Sequence, residues 1–291
     1  MQFDWTNYLK NNFENFKNDV LNEMVSFYGE NYREILTKRL NSTNFIFYGN
    51  TRFGVPNYPQ RFCPNKKMGK KDIVYKSIDI DYNYDINYYI YKIISEKSHV
   101  SCQFEIYNSD NASAVSIVLF PLYKTDQELI HEMIHSVTST PLSLTPHINK
   151  CGLITSQNSG EVLLEECITE LEDKIIYNRL KNKGVKTFLK DHQNISMYES
   201  FYDMYIPVIF DFYKTFHNLI EYARITSDKS SLIDLIGEYN YKDFIKYIDE
   251  YKVATKNGIL NNLIDFINNS VDNMKAYSKS AKKLVKRKLT K

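Results

Sequence analysis

The residues best suited to chemistry stand together in His131-Glu132-Met133-Ile134-His135. Two histidines four residues apart on a helix lie about 40° apart around the axis and about 6 Å along it, so both imidazoles can reach one ion. Glu132 sits beside the first of them, where a carboxylate can hold and deprotonate a water without becoming a ligand. These residue types at this spacing predict a zinc hydrolase site. A catalytic zinc takes three protein ligands and leaves a fourth position open, so a third ligand is expected elsewhere. Position 141, where an extended motif would carry a third histidine, is Pro141. His147, the nearest later histidine, follows Pro146 in a loop-like stretch, and it reads with His99 and His192 as structural or exposed.

A better source is the acidic run Gly160-Glu161-Val162-Leu163-Leu164-Glu165-Glu166-Cys167-Ile168-Thr169-Glu170-Leu171-Glu172. At 100° per residue, Leu164, Ile168, Leu171 and Ile175 form one apolar stripe, with Glu161, Glu165 and Glu172 on one flank. Glu166 and Glu170 lie on the other flank, about 40° apart, beside Val162 and Leu163. Two carboxylates stacked one turn apart suit a metal ligand and a partner that orients a ligand histidine. A solvated acidic face is the alternative for any one of these glutamates. Replacement of Glu165 or Glu172 is expected to do little to zinc affinity or activity. Cys167 reads as a small buried core residue and not as a nucleophile.

The helix carrying the histidines has its own start signal. Thr125 and Glu128 in Thr125-Asp126-Gln127-Glu128 form a capping box, and Leu129, Ile130, Met133, Ile134 and Val137 supply an apolar face. Upstream, Phe3, Trp5, Tyr8, Leu9, Phe13, Phe16, Val20, Met24 and Phe27 recur at helical spacing. Residues 49–72, with several Gly and Pro and the basic pairs Lys66-Lys67 and Lys70-Lys71, read as a long surface loop. Strands are expected over Ile73–Ile80, Val100–Tyr107 and Ala114–Tyr123, with a turn at Asn108–Asn111 and a short helix over Ile86–Ile94. From residue 125 the pattern is helical, with breaks at Lys181–Gly184 and Thr226–Lys229. The fold class is therefore α+β: a small N-terminal mixed sheet with the active-site helix, then a mostly helical C-terminal lobe. Residues 1–291 read as one catalytic domain, 1–140 an α/β lobe with the metal-binding helix and 141–291 a helical lobe with the third ligand.

Composition bounds the function classes. The chain has 291 residues and a net charge of +2, so it lacks the overall basicity of a nucleic-acid binder, and none is expected as a partner. No signal peptide or membrane-spanning run is visible, and the four cysteines show no Cys-x-x-Cys pairing. A reducing, cytoplasmic setting is expected, with export independent of a signal peptide left open. The C-terminal run Lys275, Lys279, Lys282, Lys283, Lys286, Arg287, Lys288 and Lys291 could contact an anionic partner, although a solvated terminal helix is the simpler reading.

Taken together, Leu129-Ile130-His131-Glu132-Met133-Ile134-His135 and Leu164-Glu165-Glu166-Cys167-Ile168-Thr169-Glu170 resemble the gluzincin metallopeptidases. In that family the second motif commonly reads Asn-Glu-(Gly/Ala)-x-(Thr/Ser/Ala)-(Glu/Asp). The resemblance spans roughly residues 114–176. It implies Glu166 as third zinc ligand and Glu170 as the carboxylate supporting a ligand histidine. Glu165 stands where the family has Asn and Cys167 where it has Gly or Ala, and a slip of one turn would make Glu170 the ligand. The resemblance also implies a zincin fold, with an edge strand along the substrate cleft for which Ala114–Phe120 or Val100–Tyr107 is placed. The implied activity is hydrolysis of a peptide or protein substrate, with Glu132 as general base and an oxyanion donor sought among Tyr202, Tyr205, His217 and Arg224. The competing expectations are a catalytically silent zincin-fold binding protein and a regulator or toxin protease dedicated to one partner.

Overall fold

The computed structural model describes residues 3–49, 73–80, 86–88, 90, 93–94, 101–108, 113–140, 150–154, 159–190 and 206–256. Residues 50–72 of the loop expected over 49–72, the Asn108–Asn111 turn beyond Asn108, Tyr202, Tyr205, the histidines at 99, 147 and 192, and the C-terminal lysine run lie outside them.

The N-terminal apolar periodicity folds as α1, Trp5–Tyr28, whose start is capped by Asp4: its Oδ1 accepts the backbone N–H of Asn7 at 3.0 Å. A second helix, α2, spans Arg33–Ser42 and leads into β1, Asn44–Tyr48. The sheet continues with β2 at Ile73–Lys76, β3 at Cys102–Asn108 and β4 at Ser113–Pro121. Its spatial order is β2-β1-β4-β3. β1 runs parallel to β4, pairing Phe45 with Val118 and Phe47 with Phe120, and the other two pairings are antiparallel. The sheet is therefore mixed.

Every residue of β1 is buried because the strand is central and covered on both faces. Phe45 and Phe47 meet the Phe13 ring of α1, with centroids 5.0 and 5.1 Å apart. Ile46 and Tyr48 point the other way, into a cluster with Ile117, Leu119 and the helical residues Ile86, Ile90 and Ile94. The expected strand over Ile73–Ile80 stops at Lys76. There Ser77 and Asn44 take over the pairing: the Phe45 N–H donates to Ser77 Oγ at 2.9 Å and the Ile78 N–H to Asn44 Oδ1 at 3.2 Å. The edge-strand expectation also narrows. β4 lies between β1 and β3, so Ala114–Phe120 is interior, while β3 forms an edge of the sheet.

After the sheet come α3, Asp126–Thr138, and a two-stranded ribbon of β5, Ser139–Thr140, and β6, Lys150–Cys151. The later described elements are helices: α4 at Ser159–Asn182, α5 at Ile206–Thr226, α6 at Ser230–Ile236 and α7 at Glu238–Lys256. The architecture is α+β: α1 and α2 precede the small mixed sheet, and further helices follow it. Among the described residues no helix is long and apolar enough to cross a membrane.

The chain divides into two compact units. One comprises Met1–Val137, Ser143–His147 and Glu172–Ile195; its core holds α1, the sheet and most of α3. The other comprises Thr138–Leu142, Ile148–Leu171 and Ser196–Lys291. In that second unit a buried ion pair organises the packing. Arg224, fully buried, donates Nε to Glu165 Oε1 at 2.8 Å and Nη2 to Thr169 Oγ1 at 2.6 Å. The other Glu165 oxygen accepts the Leu153 N–H at 2.9 Å.

Candidate metal centre

α3 begins where its sequence predicts. The Thr125 N–H donates to Glu128 Oε2 at 2.8 Å, and the Glu128 N–H donates back to Thr125 Oγ1 at 3.3 Å, the reciprocal pattern of a capping box. Burial would push the Glu128 carboxyl up, but Lys124 and the Thr125 donors outweigh it and hold the group below its ordinary value. Asp126 fixes the first turn further. Its carboxylate accepts the N–H groups of Phe188 and Leu189, each at 2.7 Å, and its own N–H donates to the Lys190 carbonyl at 3.0 Å. Burial raises the Asp126 carboxyl to about 6 against the pull of those donors. At the far end, Arg39 Nη1 donates to the Val137 carbonyl at 2.7 Å. Leu129, Ile130, Met133, Ile134 and Val137 are fully buried, as the apolar face requires.

This helix brings His131 and His135 together. Their Nε2 atoms lie 3.1 Å apart, with the rings edge to face. Two imidazoles on one tetrahedral ion at about 2.1 Å would set their nitrogens ~3.4 Å apart, so the observed pair is close to a ligating geometry. The other His131 nitrogen is engaged: Nδ1 lies 2.8 Å from Asp173 Oδ2. With Nδ1 carrying the proton for that bond, Nε2 presents its lone pair toward His135. Glu132 is buried on the same helix. Burial, reinforced by Tyr123, Cys102 and Glu132, holds the Tyr48 phenol far above its ordinary value, so its hydroxyl stays protonated.

The carboxylates come from α4. Glu166, Glu170 and Asp173 follow one another at four and three residues, which puts them within about 60° of the helix circumference. Two groups of potential ligands result, His131 with His135 and Glu166, and His131 with Glu170 and Asp173. Within each, the ligand atoms all lie within 4.8 Å of one another. A donor set of imidazole nitrogen and carboxylate oxygen suits a divalent transition metal, and by itself does not single out zinc.

The opposite flank of α4 is not a solvated acidic face. Glu161, Glu165 and Glu172 are all buried. Lys229 Nζ meets Glu161 Oε1 at 2.5 Å, Arg224 holds Glu165, and the Tyr28 hydroxyl donates to Glu172 Oε2 at 2.5 Å. Glu165 and Glu172 each accept a buried hydrogen bond whose donor would lose its acceptor if the carboxylate were replaced. Of the four oxyanion candidates, Arg224 is committed to Glu165 and Thr169, His217 is exposed on α5, and the two tyrosines lie outside the described residues. Cys167 is fully buried, and burial with Glu166 and Glu170 nearby pushes its thiol well up, away from nucleophilic use.

Asp173 and Gln127 were not among the residues singled out from sequence. Asp173 lies one position past the acidic motif, yet it repeats the phase of Glu166 seven residues later. Gln127 precedes His131 by four residues and shares its face. No protein family, no curated protein and no solved structure matches this chain.

Proposed function

We propose that this protein is a zinc-dependent metallopeptidase of gluzincin type. The observation that carries the reading is the His131–His135 pair with facing Nε2 atoms 3.1 Å apart, in one 4.8 Å group with a carboxylate oxygen of Glu166. In this reading His131, His135 and Glu166 hold the metal, and Glu132 is the general base. A zinc bound there would polarise a scissile carbonyl and acidify water. Glu132, next to the first ligand on α3, takes the proton of the attacking water and passes it to the leaving amine. The substrate is a peptide or protein, and its chain would add by backbone pairing at β3, an edge strand of the sheet among the described residues.

The deciding experiment joins metal analysis to a proteome-wide cleavage assay on the same preparation. We expect one zinc per chain, cleavage by the wild type, and loss of cleavage in Glu132→Gln with zinc retained. Protein made with ample zinc that holds no transition metal would overturn the reading, and so would equal cleavage by wild type and Glu132→Gln. Zinc held without any cleavage would leave a binding protein.

A further inference from the structure

The family resemblance gives the task of orienting a ligand histidine to Glu170. A second carboxylate, Asp173, takes hydrogen bonds that bear on the same task. Asp173 accepts from two consecutive turns of α3 at once: Oδ2 lies 2.8 Å from His131 Nδ1, and Oδ1 accepts from Gln127 Nε2 at 2.8 Å. Gln127 and His131 are four residues apart, so one carboxylate bridges neighbouring side chains of the same helical face. Asp173 itself is 1% exposed. A carboxylate so deeply buried is held against its desolvation cost by such donors. Its two oxygens receive them from fixed directions, which leaves the His131 ring little freedom to turn or to exchange tautomers.

We infer that Asp173 is a positioning residue of the site. It fixes His131 as the Nδ1–H tautomer and aims Nε2 at the point shared with His135, while Gln127 holds Asp173 in place. The consequence for metal affinity rests on the metallopeptidase reading; the tautomer does not. Outer carboxylates of this kind orient the ring and raise the basicity of the ligating nitrogen, and their loss typically lowers metal affinity 10–100-fold.

The test uses the full chain with 15N-labelled histidine, in wild type, Asp173→Asn, Asp173→Leu and Glu170→Gln. In metal-free wild type, His131 should show a protonated Nδ1 with a strongly downfield proton. Asp173→Asn should keep the tautomer through its amide oxygen, once Gln127 flips its own amide, but shift that proton upfield. Asp173→Leu should release the tautomer. Zinc affinity, read by competition with a chromophoric chelator, should fall about 10–100-fold in Asp173→Leu and fall less in Asp173→Asn. The Asn variant preserves shape and keeps the test open if the Leu variant does not fold. An Nε2–H tautomer in wild type, or His131 signals that answer to Glu170→Gln and ignore Asp173→Asn, would overturn the assignment. Wild type that binds no zinc would remove the metallopeptidase reading and leave the tautomer measurement to decide this one.

Discussion

On one flank of α4, Glu161 and Glu165 meet cations that the chain itself supplies, Lys229 and Arg224. On the other, Glu166, Glu170 and Asp173 share their space with His131, and Glu166 also with His135. Both flanks bury acids, and both solve the cost of doing so, but by different means. The first flank is complete as folded: a guanidinium with a planar fork fits one carboxylate and a neighbouring hydroxyl, and nothing needs to be added. The second brings imidazole nitrogens and carboxylate oxygens within 4.8 Å of one another, groups that could hold a cation. Within a single helix, then, burial of a glutamate says little about its role; the partner decides. An arginine partner marks a fastening, and a pair of histidines with a carboxylate is a group that could hold a metal.

That contrast can be broken most forcefully at Arg224. Arg224→Ala leaves Glu165 buried beside no guanidinium and should cost about 3–5 kcal/mol in urea unfolding. The double variant Glu165→Leu with Arg224→Met should recover most of the loss, because an apolar pair of similar volume replaces a buried ion pair at little cost. If Arg224→Ala unfolds at the wild-type urea concentration, the first flank is not a fastening. On the second flank the readout changes. Glu166→Ala should abolish stoichiometric zinc retention, measured by metal analysis after gel filtration, yet leave the urea midpoint of metal-free protein close to wild type. A metal-free midpoint that collapses as for Arg224→Ala would erase the distinction between flanks. Tyr28→Phe removes the hydroxyl donor to Glu172 and should cost about 1.5–3 kcal/mol, with zinc content unchanged.

The smallest effect should come from acids outside both flanks. Thr125→Ala removes half of the capping box and should cost about 1 kcal/mol. Its partner Glu128 carries a pH signature. The folded group ionises below its ordinary value, so its contribution is fully present above about pH 4.3 and fades as pH falls through the lower folded value. Thermal unfolding followed from pH 6 to pH 3 should show a shallower acid loss in Glu128→Gln than in wild type. Identical slopes would mean that the box contributes nothing.

The sequence made α3 legible because its signals are local. Thr125, Glu128 and the apolar face lie within 13 residues, and the phase of His131 and His135 follows from helix geometry alone. β1 was not legible for the converse reason. A central strand covered on both faces has no polar-apolar alternation, and Asn44-Phe45-Ile46-Phe47-Tyr48 is too short to be told from a helical segment. The roles of Glu161 and Glu165 were hidden by distance along the chain, since their cations arrive more than fifty residues later, from Arg224 and Lys229. Asp173 was within reach. Extending the phase of Glu166 and Glu170 by three residues finds it, but only the hydrogen bond to His131 shows what it does.

The moorings at the two ends of α3 carry a last consequence. Asp126 grips residues 188–190 at the first turn, and Arg39 holds the Val137 carbonyl at the last, both within the unit that contains the histidines. A helix tied at each end cannot screw about its own axis, and a turn of one residue would swing both imidazoles by about 100°. The aim of the pair is therefore set mechanically before any ligand arrives. Amide hydrogens in the middle of α3 should exchange among the slowest in the chain, and they should do so equally with and without added metal.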